Sequence, residues 1–138
     1  MNRTDFQKLA NLRVKDAKVL LNNGCFEGAY YLLGYSIECA LKACVAKKTQ
    51  RYDFPDKKLA NNVFTHELPV LLALAGLKPV FDAELKVNPT LDANWAIVKD
   101  WNESSRYVLS VDANLSKGMY AAAASRKNGV LPWLKKQW

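Results

Sequence analysis

Histidine occurs once in this chain, at His66, and the three cysteines, Cys25, Cys39 and Cys44, include no Cys-x-x-Cys pair. A zinc site draws on clustered His and Cys side chains, so no metal and no cofactor is expected. An odd number of cysteines, two of them in an apolar stretch, argues against a disulfide framework and predicts buried free thiols in a reducing cytoplasm. The opening residues, MNRTDFQKLAN, lack the apolar segment of a secretion signal. No stretch alternates at period two long enough for a strand, and there is no internal repeat. Acid is absent from residues 113–138, which carry 5 Lys/Arg.

Half of the 138 residues are hydrophobic, enough for one domain, 1–138, with a core of its own. The net charge of +7 is unevenly placed: residues 1–60 carry 11 Lys/Arg against 6 acids, and residues 61–112 carry 4 against 7. A basic excess of this kind fits contact with nucleic acid or another acidic surface, and equally a solvated helix face.

The stretch CFEGAYYLLGYSIECALKACVAKK, residues 25–48, dominates the pattern. Phe26, Ala29, Tyr30, Leu33, Ile37, Ala40, Leu41, Cys44 and Val45 recur at helical spacing as a long apolar face. Glu27, Tyr31, Gly34, Glu38 and Lys42 form a narrow polar stripe on the same helix. In a bilayer Glu38 and Lys42 would each cost about 2.5–3.5 kcal/mol, so this is expected to be a core helix and not a membrane span.

Around it the sequence predicts an all-α antiparallel bundle of four to five main helices with a short extra one. Thr4 or Asp5 caps a first helix running to about Asn22, and Asn23-Gly24 turns the chain tightly into the central helix. Residues 49–64, with Pro55 and no sustained period, read as a mobile loop. A third helix starts with Thr65 as cap and ends at Gly76, and a short helix follows from Pro79 to about Val87. The next is capped by Thr90, with Leu91, Trp95, Val98 and Trp101 inward. Residues 102–105 either turn the chain or carry that helix on to Arg106. The last helix begins near Asn114 or Ser116, kinked or broken around Asn128-Gly129 and Pro132.

Four stretches in this order resemble the HEPN family of small helical domains, named for suspected nucleotide binding in higher eukaryotes and prokaryotes. They are LLNNGCFEGA (20–29), YSIECALKA (35–43) with Glu38 and Lys42, THELPVLLALAGL (65–77), and SSRYV (104–108) before a terminal helix ending PWLKKQW. The resemblance implies a homodimeric helical bundle and a role in toxin–antitoxin or defence systems, often beside a minimal nucleotidyltransferase protein. Active members are metal-independent ribonucleases marked by an Arg followed some four to six residues later by a His. Arg106 fits the arginine, but Tyr107 to Ala113 contain no histidine.

That absence shapes the functional expectation. Metal-free RNA cleavage needs one group to take the 2′-OH proton and another to protonate the leaving oxygen, work for which imidazole is suited and guanidinium is not. The expectation is therefore a dimeric module binding RNA, a nucleotide or a partner protein, with no membrane contact and no ribonuclease activity. The alternative is a divergent ribonuclease using Arg106 with Asp112 as a non-standard base. Glu38, Lys42, Arg106 and Tyr107 are the candidate ligand-binding residues, with Arg106 expected to pair with Glu38. Such a pair either locks two helices or lines a dimer cleft that takes phosphate or nucleotide. His66 is expected in the first turn of the third helix, partly exposed or bonded locally; the alternative is that it reaches a site from another helix. Trp101 and Tyr107 read either as core or as a stacking surface beside Arg106, and the basic terminal segment either tracks phosphates or is a solvated face.

Overall fold

The computed structural model describes residues 1–49 and 61–138, and most of the stretch read as a mobile loop (49–64) lies outside them. The described residues form an all-α bundle with no strand: α1 (Arg3–Asn22), α2 (Phe26–Lys48), α3 (Leu68–Leu74), α4 (Lys78–Val87), α5 (Pro89–Val98), a 3-10 helix (Glu103–Tyr107), α6 (Ala113–Ala124) and α7 (Val130–Lys135). As the apolar pattern predicts, α2 is the central element, meeting α1, α3, the 3-10 helix, α6 and α7. Twelve of its residues are buried, from Ala29 to Val45.

The α1–α2 hairpin is closed by a tight turn in which Gly24, at φ +75°, takes the left-handed conformation. Cys25 N–H donates to Leu20 O (2.8 Å) and Gly24 N–H to Leu21 O (3.3 Å), satisfying carbonyls that the helix end leaves open. Ala10 and Ala17 on α1, with Ala29 and Ala40 on α2, are fully buried. Small side chains let the two backbones approach closely enough for Ser36 Oγ to donate to Ala10 O at 2.7 Å.

Several helix starts differ from the sequence expectation, each for a capping reason. Asn2, not Thr4 or Asp5, caps α1: its side chain accepts from Asp5 N–H while the Asp5 carboxylate accepts from Asn2 N–H. Asn88, not Thr90, caps α5, accepting from Leu91 N–H and leaving Pro89 inside the first turn where no donor is needed. The third helix begins at Leu68 and not beside Thr65, whose hydroxyl instead accepts from Glu67 N–H at 3.2 Å.

The terminal segment is two helices. α6 ends at Ala124, and the chain restarts at Val130, which puts Pro132 within the first turn of α7 where its missing N–H breaks no helical hydrogen bond. Asn128 pins this break to α5, its amide oxygen accepting from Asn88 and its backbone carbonyl from Asn94. Similarly, residues 99–102 interrupt the chain between α5 and the 3-10 helix, so α5 does not run on to Arg106.

Candidate functional site

The polar stripe of α2 organises the candidate residues into two groups along one side of the bundle. Near its C-terminal half, Glu38 is only 2% exposed, and its Oε1 accepts from Lys42 Nζ at 2.8 Å and from His66 Nδ1 at 3.0 Å. Because a carboxylate only accepts, that contact places the imidazole proton on Nδ1. Glu38 Oε2 is buried with no hydrogen-bond partner among the described residues. A buried carboxylate is costly unless cations face it. Lys42, 15% exposed, supplies that charge, and His66, 42% exposed, adds a hydrogen bond from the solvent side. Burial, with the Glu38 charge beside it, pushes the Cys39 thiol up to about 11.

One turn earlier on α2, Gly34 makes room for Trp101. A Cβ at Gly34 would lie well inside 3.0 Å of the indole carbons, so the ring rests directly on the helix backbone. Trp101 is 2% exposed and therefore a core residue, not part of a stacking surface, and its Nε1 has no partner among the described residues. Tyr31 approaches it at 6.0 Å between ring centroids and stacks in parallel on Tyr35 at 6.2 Å. These aromatics join the Glu38 cluster to the second group.

That second group comprises the 3-10 helix and the segment leading from it into α6. Arg106 is exposed, with its guanidinium 4.9 Å from the Tyr107 ring centroid. The hydroxyls of Tyr107 and, more weakly, Tyr31 push its pKa above the usual arginine value. Tyr107 is 72% exposed, so it is a surface ring and not core. Glu27, at the start of the stripe, anchors the segment beyond the 3-10 helix by accepting from Val111 N–H at 3.1 Å. Its own backbone N–H and that of Val111 hold its carboxyl below the usual range.

The expected Arg106–Glu38 pair is therefore not formed. The Glu38 carboxylate takes Lys42 and His66, and Arg106 turns to Tyr107 and Tyr31. His66 precedes α3 instead of sitting in its first turn and bonds across to another helix. Asp112 caps α6, its Oδ1 accepting from Asn114 N–H (2.7 Å) and Leu115 N–H (3.2 Å). A carboxylate oxygen held by two backbone donors is tied to the helix start, which leaves it poorly placed to take a 2′-OH proton.

The sequence allowed His66 to reach another helix but did not pick Glu38 as its partner, because 28 residues separate the two. It also missed the seat of Trp101 on Gly34. A glycine inside an otherwise apolar helix was the available signal, since such a residue often marks a close approach. No described helix is long and apolar enough to cross a membrane. Comparison of the chain with family models, curated proteins and solved structures finds no match.

Proposed function

We propose that this chain is a HEPN-like binding module that pairs into a homodimer and engages RNA or a nucleotide without cleaving it. In this reading it works in the cytoplasm beside a partner such as a minimal nucleotidyltransferase protein, within a toxin–antitoxin or related system. The observation that carries it is the exposed Arg106 guanidinium lying over the exposed Tyr107 ring. A fixed cation beside an accessible aromatic face suits a phosphate and its stacked base. The residues after Arg106 hold no imidazole, and Asp112 Oδ1 is spent on capping α6, which supports binding over cleavage at this face. The three described free thiols, two of them buried, accord with a reducing compartment.

The test is a gel series with mixed tRNA and mRNA in the presence of chelator, at low and moderate salt, with Arg106→Ala alongside. Intact RNA with a salt-sensitive shift that weakens in the variant is the expected result, and cleavage by the wild type overturns the reading.

One observation favours a second reading, a metal-independent ribonuclease. His66 has its Nδ1–H fixed by a buried carboxylate, the arrangement that orients an imidazole for proton transfer at Nε2. That reading predicts RNA cleavage lost in His66→Ala, in a protein whose circular dichroism is unchanged.

A further inference from the structure

We propose that the groove between the 3-10 helix and the start of α6 is a nucleobase pocket selective for guanine, with Asp100 taking the paired N–H donors of the base edge. The inference rests on the RNA-binding reading above and names what that face reads.

The groove has a volume of about 300 Å³ and is bordered by Tyr30, Asp100, Ser105, Val108, Asp112 and Leu115, among others. No lysine or arginine lines it, although the chain carries a net charge of +7. Two carboxylates without a facing cation repel phosphate and favour a group rich in N–H donors. Apolar lining comes from Val108 at 46% and Leu115 at 49% exposure and from the buried Val111, surfaces that suit a flat ring.

Polar capacity in the groove is unspent. Asp112 uses one oxygen, Oδ1, for both of its backbone bonds. Ser105 Oγ is buried with no partner among the described residues. Burial and then the charge of Asp100 push the Tyr30 phenol up, so the Asp100 carboxylate is felt inside the groove.

Among the four RNA bases, guanine alone offers two adjacent donors, N1–H and the N2 amine, that one carboxylate accepts together, with O6 beside them for a hydroxyl donor. Adenine and cytosine place an acceptor next to their amine, and uracil has a single donor between two carbonyls. Ser105 within the 3-10 helix and Val108, extended just beyond its end, both border the groove. Arg106, between them in the chain, points elsewhere and lies over Tyr107. Base and phosphate thereby meet different sides of one short turn.

The test is fluorescence anisotropy of the full-length chain at low salt with labelled UUGUU, UUIUU, UUAUU and UUUUU ribonucleotides. Inosine keeps N1–H and O6 but lacks the N2 amine. The expected result is about tenfold tighter binding of UUGUU than of the other three, a size typical of one bidentate base contact. Asp100→Asn should collapse that ratio to near one, and Ser105→Ala should reduce it, with circular dichroism confirming the fold of each. Equal binding of all four oligonucleotides by the wild type, or a guanine preference that survives Asp100→Asn, overturns the pocket while leaving RNA binding standing. No binding to any of them overturns both readings.

Discussion

Replacing Gly34 by alanine should destabilise this protein, although the same change in a helix normally does the opposite. In an open helical position Gly→Ala gains about 1 kcal/mol from backbone entropy. At Gly34 the new methyl would fall well inside 3.0 Å of three Trp101 ring carbons. The indole cannot simply step back, because it is 2% exposed and Tyr31 packs against it. Overpacking of this kind costs about 1–3 kcal/mol, and here a rigid fused ring has to be displaced, so the upper end applies. The net expectation is a loss of about 2 kcal/mol, the overpacking cost less the entropy gain. Gly118 on α6 is the internal control, since a Cβ there meets nothing within 4 Å. Gly118→Ala should gain about 0.5–1 kcal/mol.

Urea unfolding followed by far-UV circular dichroism reads both signs directly, as midpoints that move in opposite directions. A double-mutant cycle with Trp101→Leu adds the specific test, because removing the ring should relieve most of the cost of the added methyl. Trp101 also leads directly into the 3-10 helix, so Gly34→Ala should weaken RNA binding through displacement of Arg106. A Gly34→Ala midpoint at or above that of the wild type would refute the packing argument and, with it, the coupling of the α2 stripe to the Arg106 face.

Other perturbations have equally definite outcomes. Glu38→Ala leaves Lys42 largely buried without its counterion and should cost about 3 kcal/mol, the low end for a broken buried pair because Lys42 keeps some exposure, in the same urea assay. Ser36→Ala deletes the buried bond to Ala10 O and should cost about 1 kcal/mol. Burial raises the Cys39 and Cys44 thiols from 9.0 to about 11, whereas Cys25 is exposed. One thiol should therefore react with Ellman's reagent in native protein at pH 8 and three in denaturant. Because both buried thiols keep their protons in the folded chain after the unfolded chain has lost them, their stabilisation is complete below about pH 9 and is lost as pH rises toward about 11. For RNA, Arg106→Ala should lower affinity for every sequence and reduce the slope of log affinity against log salt by about one.

The central helix was readable in the sequence because a 23-residue apolar pattern at one period leaves little choice of structure. The Asn23-Gly24 and Gly76 stops were readable for a related reason: each glycine has a positive φ that other residues avoid. Boundaries set by side-chain capping were harder. Asn2, Thr4 and Asp5 are all competent caps, and Asn88 competes with Thr90 across Pro89, so composition alone does not rank them. The break before α7 was visible only as a conflict, a proline inside an apparent helix. Its resolution depends on Asn128 reaching Asn88 and Asn94, contacts spanning 40 and 34 residues.

The polar stripe of α2 was legible as a line of residues, but its chemistry was not, because partners are chosen by tertiary packing. Arginine looked the natural mate for Glu38 since it pairs bidentately with carboxylates. The chain uses Lys42 and His66 instead. Trp101 is seated on Gly34 beside Tyr31, and Tyr31 and Tyr107 offer Arg106 aromatic and hydroxyl partners at the surface. A guanidinium held at the surface costs far less desolvation than one drawn into a buried pair. It also remains free to meet a phosphate. Gly34 lets the indole into the core, and Trp101 leads within two residues into the 3-10 helix that carries Arg106, so substituting this glycine should disturb stability and binding together.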